Sequence, residues 1–370
     1  MPVRDLHDKP FDEATLAKLD IFEKYTQAWL PTFVMQEAFH TVCIFDFFAG
    51  TGYDIESKPG SPIRLLDVIK QFSTLLVEKR MVVKLFLNEF YEKKCTLLRA
   101  AVEQYLRENP DVARVVQHKV YQEDFNTVYR KLLPEIEAYP SLVFLDQNGV
   151  KFTNLENLLA LEKTRQTDFL FFISSSYVRR FGATSEFASY LNIDVDELKN
   201  NPYRFIHQDV VRAITKQLPP NTQLRLYPFS IKKGNNIHGL VFGAKHPRAV
   251  EKFLKVVWDR YPINGEANFD INDDAPKQCY QLDMFATEPK KTKIQKFQEQ
   301  LEQSIKAHKE VTNKFVYLFA LEHGHTPKHA SDHLKSLKNK LVDFPTSTPK
   351  LSFKDAYKEN GVISIKWIGK

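Results

Sequence analysis

A short apolar strand that runs into a glycine turn constrains the fold more than any other stretch of this chain. Residues 41–52 read TVCIFDFFAGTG. The apolar run at 42–45 is too short for a helix and is rich in residues that favour strands. Gly50 and Gly52 allow a sharp turn and a close approach of the backbone to a ligand, which a Cβ atom would hinder. Asp46 ends the strand, at the position where open α/β sheets bind ligands.

Three kinds of ligand-binding turn start with a strand that is followed by glycines. A phosphate-binding loop needs a longer glycine loop that ends in Lys-Ser or Lys-Thr, and none follows here. A dinucleotide-binding turn needs a third glycine three residues after Gly52, where Ile55 stands. The remaining candidate is the D-x-F-A-G-x-G form of the S-adenosylmethionine (AdoMet) turn. A tight strand-to-helix turn with no ligand is the alternative.

Further apolar runs alternate with helical segments, which is the pattern of a parallel, doubly wound sheet. The predicted strands cover residues 42–45, 82–87, 117–121, 141–146, 168–173, 224–231 and 238–244. The last two flank a turn rich in Gly and Asn and predict a hairpin. We therefore expect an α/β, Rossmann-like fold whose parallel sheet ends in an antiparallel hairpin.

Polar side chains follow successive predicted strands, and each suggests a contact to an adenosine-bearing ligand. Glu89, after the second strand, is placed to hold ribose hydroxyls, with Asn88 as an alternative. After the third strand, Asp124 can accept from an adenine amino group and Phe125 can lie on the ring. Asp146 ends the fourth strand and can accept a proton or orient a nucleophile. At the turn itself, the candidate cofactor-binding residues are Asp46, Phe48, Ala49, Gly50 and Gly52.

Motifs typical of one protein family occur in order along most of the chain. They are IFEKY at 21–25 with WL at 29–30, DFFAGTG at 46–52, GSP at 60–62, Glu89, DFN at 124–126, FLD at 144–146 with Gly149, and HGLVFGAKHP at 238–247. With these motifs the chain resembles the three-Cys-motif partner (TcmP) family. The resemblance implies an AdoMet-dependent methyltransferase fold, a C-terminal winged-helix segment and a partner protein that carries a three-cysteine motif.

One motif departs from the pattern of that family. The family tends to have Asp-Pro-aromatic-Gly after the fourth strand, whereas this chain has DQNG at 146–149. In amino-methyltransferases, a similar Asp/Asn-Pro-Pro-aromatic tetrad holds the target amine and stacks on its base. The absence of the proline and the aromatic residue argues against methylation of a base amine. Asp146, Gln147 and Asn148 are the candidate catalytic residues.

Composition bounds the class of protein. The 370 residues are 43% hydrophobic and carry a net charge of +6, so the chain can form two domains, and its mild basicity permits a nucleic-acid partner without requiring one. Cys43, Cys95 and Cys279 lie far apart, which predicts neither a zinc site nor a disulfide framework. No signal-peptide pattern or membrane-spanning run occurs, so we expect a soluble cytoplasmic protein with no membrane partner.

The sequence composition changes at two places in the C-terminal third, which indicates a linker and a second domain. A methyltransferase-like domain is predicted at 1–263, and residues 264–290, rich in Asn, Asp, Glu and Pro, predict a linker. Residues 291–370 then predict a winged helix-turn-helix domain. Its elements are helices at 294–309, 312–323 and 328–341, followed by a β-wing formed by 351–353 and 361–368.

The third of these helices carries basic residues that can bind nucleic acid. Lys328, Lys335 and Lys338 can contact phosphates, or they form the solvated face of a protein-interaction module. His325, His329 and His333 fall on one helical face, but no cysteine or acidic residue completes a tetrahedral set of ligands. No metal is expected.

Two functions stay open at this point. The first is an AdoMet-dependent methyltransferase that acts on or with nucleic acid, together with a three-Cys-motif protein. The second is a non-catalytic AdoMet-fold scaffold, or a nucleic-acid-binding subunit, in a larger complex such as a defence system. The glycine turn favours the first function, and the altered Gln147 and Asn148 favour the second.

Overall fold

The computed structural model describes residues 10–36, 38–146, 155–174, 203–234, 236–275, 290–358 and 361–369. The chain divides into two compact units, Met1–Lys245 and His246–Lys370. This division lies before the helix that follows the last predicted strand, whereas the sequence pattern places the boundary after that helix, near residue 263.

The first unit is organised around a seven-stranded sheet. Its strands are β1 (Thr41–Asp46), β2 (Val82–Asn88), β3 (Val116–Tyr121), β4 (Ser141–Leu145), β5 (Thr167–Ser174), β6 (Arg225–Lys233) and β7 (Asn236–Ala244). They lie in the order β3-β2-β1-β4-β5-β7-β6. Strands β1 to β5 pair in parallel, and β7 is antiparallel to both β5 and β6. The predicted α/β, Rossmann-like fold with an antiparallel terminal hairpin is confirmed.

Helices cover both faces of this sheet. They are α1 (Glu13–Val34), α2 (Ser61–Gln71), α3 (Ser73–Glu78), α4 (Glu92–Glu108), α5 (Pro110–Ala113), α6 (Phe125–Ala138), α7 (Leu155–Lys163) and α8 (Ile206–Gln217). On one face, Phe22 of α1 stacks on Phe144 of β4, with ring centroids 4.0 Å apart. On the other face, residues of α6, α7 and α8 share one core with Val143 and Leu145 of the same strand. Because alternate strand residues point to opposite faces, both faces of β4 are buried.

Apolar residues recur at helical spacing from 14 to 30, and Pro31 predicts the end of that helix. This predicted end was wrong, because α1 continues to Val34 with Pro31 inside its last turn. A proline removes one helical N–H donor. In this turn the Thr32 hydroxyl donates to the Ala28 carbonyl at 3.3 Å, and the Gln36 amide donates to the Thr32 carbonyl at 2.9 Å, so side-chain hydrogen bonds add to the backbone bonds at this end of the helix.

The second unit combines helices with a small sheet. Its elements are α9 (Pro247–Arg260), α10 (Lys293–His308), β8 (Glu310–Thr312), α11 (Asn313–Glu322), α12 (Pro327–Leu337), β9 (Val342–Asp343), α13 (Phe353–Tyr357) and β10 (Ser364–Trp367). The sheet has the order β8-β10-β9 and is antiparallel. Its apolar core is shared by residues of α10, α11, α12 and all three strands.

Two local predictions in this unit were wrong. Residues 351–353 do not form a strand, because Ser352 caps α13 by accepting from the Asp355 N–H at 3.1 Å. The pairing partners of β10 are β8 and β9 instead. Helix α12 ends at Leu337 rather than at 341, since Asn339 has a φ of 62°, which a right-handed helix does not accommodate.

The first part of the predicted linker is folded. The Asn264 side-chain oxygen accepts from the N–H groups of Glu266 and Ala267, each at 2.8 Å. Gly265 has a φ of 58°, and a Cβ atom there would come within 2.4 Å of the Trp258 indole. Ile271 is fully buried. Residues 276–289 of the predicted linker lie outside the described residues. In the parts of the chain listed above, no helix has the length and apolar character needed to cross a membrane.

Candidate functional site

The glycine turn leaves β1 at the carboxyl edge of the sheet. Gly50 has a φ of 67° and Gly52 a φ of 89°, both in the left-handed region that favours glycine. A Cβ atom on Gly52 would come 2.9 Å from a side chain of α4. The Gly52 carbonyl accepts from the Gly60 N–H at 2.8 Å, just before α2. Both the backbone conformation and the close packing therefore require glycine in this turn.

Asp46 places a buried carboxylate beside the turn. Its side chain is 1% exposed, and its Oδ1 accepts from the Phe48 N–H at 3.1 Å. Its Oδ2 is buried and has no hydrogen-bond partner among the described residues. Burial raises the pKa of this carboxyl to about 7, although the nearby Ser61 hydroxyl and the Phe48 amide favour the charged form. A buried acceptor without a donor is destabilising, so Oδ2 marks a position for a donor on a ligand.

The sheet reverses its strand order between β1 and β4, beside Asp46. Asp46 is in register with Phe144 of β4, and Asp146 follows two residues later. Ligands of open α/β sheets bind where the strand order reverses, outside the carboxyl ends. The two carboxylates interact, because the charge of Asp146 raises the pKa of Asp46. The structure thus brings together two of the predicted site residues at the expected point of the sheet.

Lys18 joins this pair and was missed by the sequence analysis. It lies on α1, is 9% exposed, and its ammonium donates to Asp146 Oδ2. Its charge lowers the pKa of Asp46. The sequence contained a signal for it: positions 14, 18, 21, 22 and 25 form the buried side of α1. A lysine at one of these positions needs a partner for its charge.

An aromatic ring and a histidine extend the site from Lys18 along β5 and β7. The Lys18 ammonium lies 4.9 Å from the centroid of the Phe172 ring, and His238 stacks on the same ring at 5.2 Å. His238 Nδ1 is buried without a hydrogen-bond partner in the described part of the chain. Burial lowers the pKa of His238 to about 4, assisted by the charges of Lys233 and Lys18 and opposed by those of Asp12 and Asp146.

The end of β2 carries two candidates for ribose binding, and the structure distinguishes them. Asn88 uses its side-chain amide internally: it donates to the carbonyls of Phe47 and Glu123 at 3.3 and 3.1 Å, and it accepts from the Glu123 N–H at 3.2 Å. Glu89 is 8% exposed, and its Oε1 accepts from the Tyr91 N–H at 2.9 Å. One carboxylate oxygen of Glu89 keeps the capacity to accept from a ligand, so Glu89 is the better candidate.

The two candidates for adenine binding have different surroundings. Asp124 is exposed and caps α6, since its Oδ1 accepts from the Asn126 N–H at 2.9 Å. Phe125 is 3% exposed. Its ring stacks with that of Phe48 at 5.5 Å and with that of Tyr129 at 5.3 Å. Phe125 thus packs in the core beside the turn, and the half-buried Phe48 is the outer ring of the stack.

The remaining predicted catalytic residues, Gln147 and Asn148, lie outside the described residues. Asp146 is therefore the one predicted catalytic residue whose contacts can be stated. Its side chain is 21% exposed, so it lies at the edge of the site rather than within the core.

The basic candidates of the second unit separate into two kinds. Lys328 and Lys335 are exposed on α12, with Lys335 3.6 Å from Asp332. Lys338 follows the end of α12, donates to the Thr346 carbonyl at 2.6 Å and lies over the Phe344 ring. Lys328 and Lys335 are available to a phosphate backbone, whereas Lys338 is held within its own unit.

The three histidines near α12 have protein partners. His325 is 1% exposed, stacks on Phe297 at 4.1 Å, and has its Nδ1 3.2 Å from Nδ1 of His329. His333 Nε2 lies 2.7 Å from Glu302 Oε1. Within the described ranges, no group of three or more His, Cys, Asp and Glu side chains is placed to hold a metal ion.

Comparisons with known proteins identify solved structures only. No known family profile matches the chain, and no curated protein matches it. One similar structure is the O-methyltransferase TomG from Streptomyces achromogenes in complex with SAM, at 12% identity, with 65% of this chain and 92% of that chain covered and a TM-score of 0.32. Another is the DszA carbon methyltransferase, at 12% identity, with 62% and 54% covered and a TM-score of 0.33. TM-scores this low carry no argument about the chain, so the fold assignment depends on the observed strand order of the sheet.

Proposed function

We propose that this chain is an AdoMet-binding methyltransferase that acts on or with nucleic acid, together with a partner that carries a three-cysteine motif. The observation that carries the proposal is the buried Oδ2 of Asp46, which has no hydrogen-bond partner among the described residues. It lies next to a left-handed glycine turn, where the strand order of the sheet reverses. This arrangement fits a ligand that presents a cationic donor close to the backbone.

The residues around the turn match the parts of AdoMet. Asp46 Oδ2 would accept from the ammonium of the methionine portion, and Gly50 and Gly52 would let the backbone approach it. Glu89 would hold the ribose with its second oxygen. When bound, AdoMet supplies a methyl group on a sulfonium centre, and the protein supplies alignment and exclusion of water.

The second unit supports an interaction with nucleic acid. Its element order is helix, strand, helix, helix, strand and strand, with the short α13 before the last strand, and this order is typical of winged helix-turn-helix domains. Helix α12 would be the recognition helix, with Lys328 and Lys335 facing phosphates. The three-cysteine partner is proposed on the resemblance in the sequence motifs.

A scaffold function is the second candidate. The Asp146 carboxylate already has a cationic partner in Lys18, and Gln147 and Asn148 replace the residues that hold an amine in related enzymes. A chain of this kind could bind AdoMet without transferring the methyl group.

Calorimetric titration of the intact chain with AdoMet tests the pocket. We expect binding by the wild type and none by Gly50→Arg, whose side chain would enter the turn. The matched control is Gly234→Arg, since Gly234 also has a positive φ but no atom of the described residues lies within 4 Å of its Cβ position. Equal affinities of the two variants would contradict the proposal. Transfer of a labelled methyl group then separates an enzyme from a scaffold.

A further inference from the structure

The ion pair between Lys18 and Asp146 indicates the chemical class of the methyl acceptor. Charges that are withdrawn from water are costly unless they are paired, and such pairs are weak evidence for a stabilising role. This pair lies at the carboxyl end of β4, next to the proposed methionine site at Asp46. Its position therefore favours a role in the reaction over a role in the core.

Among the described residues, the pair leaves one oxygen of the Asp146 carboxylate without a donor. Lys18 binds Asp146 Oδ2, and Asp146 Oδ1 makes no hydrogen bond to the described residues. The ammonium of Lys18 and the carboxylate oxygen Oδ1 thus belong to one ion pair. The ammonium also lies 4.9 Å from the centroid of the Phe172 ring. An acceptor group that reaches this edge would meet a cation and a proton acceptor together.

This combination suits an oxygen nucleophile better than a nitrogen nucleophile. An amine that attacks a methyl group gains positive charge, which a neighbouring ammonium would destabilise. A hydroxyl group loses its proton during attack, and its oxygen carries developing negative charge that an ammonium stabilises. The absence of the proline and aromatic residue that hold base amines agrees with this distinction.

We propose that the acceptor is a hydroxyl oxygen and, on nucleic acid, the ribose 2′-hydroxyl of RNA; this inference rests on the proposed AdoMet site. DNA lacks this hydroxyl. The hydroxyl proton passes to Asp146 Oδ1 while the Lys18 ammonium donates to the acceptor oxygen. The oxygen forms a bond to the methyl carbon, the bond from that carbon to sulfur breaks, and its electron pair stays on sulfur. The products are a methyl ether, S-adenosylhomocysteine and one proton.

The product identifies the acceptor atom. Intact chain, with the proteins that co-purify with it, is incubated with methyl-labelled AdoMet and total RNA from cells that lack this protein. A 2′-O-methyl group blocks alkaline cleavage at the next phosphodiester, so label in alkali-stable dinucleotides is the expected result. Label in base-modified mononucleotides, label in DNA, or no label in RNA would overturn the proposal. A chain that fails to bind AdoMet in calorimetry would overturn the proposed function as well.

Variants of the ion pair separate chemistry from folding. Lys18→Met should lower the transfer rate at saturating AdoMet at least 100-fold while the AdoMet Kd changes less than 3-fold, and Lys18→Arg should restore part of the rate. The matched control is Lys84→Met. Lys84 binds Glu135 at 2.9 Å and lies over the Tyr139 ring at 4.4 Å, away from the site. If Lys18→Met lowers the melting temperature as Lys84→Met does, and the rate per folded molecule is unchanged, the pair is structural and the proposal fails.

Discussion

One histidine of each unit has a buried ring nitrogen, and the surroundings of the two differ. In the first unit, the half-buried His238 has a buried Nδ1 without a partner among the described residues. Its ring stacks on that of Phe172, which also contacts the ammonium of the Lys18–Asp146 pair. In the second unit, His325 is enclosed by Phe297 and faces His329. Burial lowers the pKa of both His238 and His325.

This difference indicates that the region around His238 is a ligand site, whereas the region around His325 is a packing site. Unpartnered polar atoms lower the stability of the protein without its ligand and are retained where a ligand supplies the missing partner. Polar groups that have partners within the protein contribute to the folding of their own unit. Substitutions at the edge of the first unit should therefore change binding with little loss of stability. Substitutions around His325 and Trp258 should change stability first.

The largest expected effect is on the packing of the second unit. Gly265→Ala would force a Cβ atom to within 2.4 Å of the Trp258 indole at a φ of 58°. Overpacking and the left-handed backbone together should lower the free energy of unfolding by about 2–4 kcal/mol. Denaturant unfolding of the intact chain measures this loss.

The matched control for that prediction is Gly324→Ala. Gly324 also has a positive φ, of 70°, but in the described part of the chain no atom lies within 4 Å of its Cβ position. The backbone strain alone should cost about 1–2 kcal/mol. Equal losses at Gly265 and Gly324 would show that the contact with Trp258 contributes nothing.

The second-largest expected effect is weaker AdoMet binding by Asp46→Asn, without a loss of protein stability. Asp46→Asn removes a buried charge whose Oδ2 has no partner among the residues described, so the melting temperature should stay equal or rise. The same change removes the acceptor for the AdoMet ammonium. Loss of a charge-assisted hydrogen bond of about 1.5–3 kcal/mol corresponds to a roughly 10- to 150-fold weaker Kd.

Calorimetry and a thermal melt on the same sample check both halves of this prediction. The exposed Asp343→Asn variant, in the second unit, controls for the loss of one negative charge. If Asp46→Asn lowers the melting temperature strongly and leaves AdoMet binding unchanged, Asp46 is a packing residue and the first unit does not differ from the second in this respect.

Acid should destabilise the second unit through His325. Burial lowers its pKa from 6.5 to about 2, and the charges of Lys293, His329 and His323 act in the same direction. Below pH 6.5 the unfolded chain binds a proton that the folded chain does not, so stability is complete above pH 6.5 and falls as pH decreases. A change from pH 7 to pH 5 should cost about 2 kcal/mol.

A variant without the titrating group isolates that contribution. His325→Phe should show a smaller decrease in melting temperature between pH 7 and pH 5 than the wild type. The control is His308→Gln at an exposed site of α10, which should keep the wild-type slope. Identical slopes in all three proteins would exclude His325 as the source.

Sequence patterns predicted the sheet because most of its strands, such as β1, β4 and β5, are short apolar runs between turn signals. The same apolar runs predicted that Asp46 and Asp146 lie close together, because each follows a run and parallel strands place their carboxyl ends at one edge of the sheet. Lys18 could not be placed in the site, because its partner is 128 positions away and helical spacing does not reveal which charge it meets. The wing was misplaced because the hydroxyl of Ser352 competes with strand pairing by capping α13.

The smallest expected effect concerns the exposed lysines of α12. Lys335→Glu should weaken binding to nucleic acid of any sequence and lower the salt slope by about 1, because one phosphate contact is lost. Lys338→Glu should leave the slope unchanged, since the Lys338 ammonium donates to the Thr346 carbonyl and is not available to phosphate. Filter binding at several salt concentrations measures both slopes. An equal decrease for both lysines would mean that the 344–346 segment opens to release Lys338 when nucleic acid binds. No decrease for Lys335 would make α12 the surface of a protein-interaction module instead.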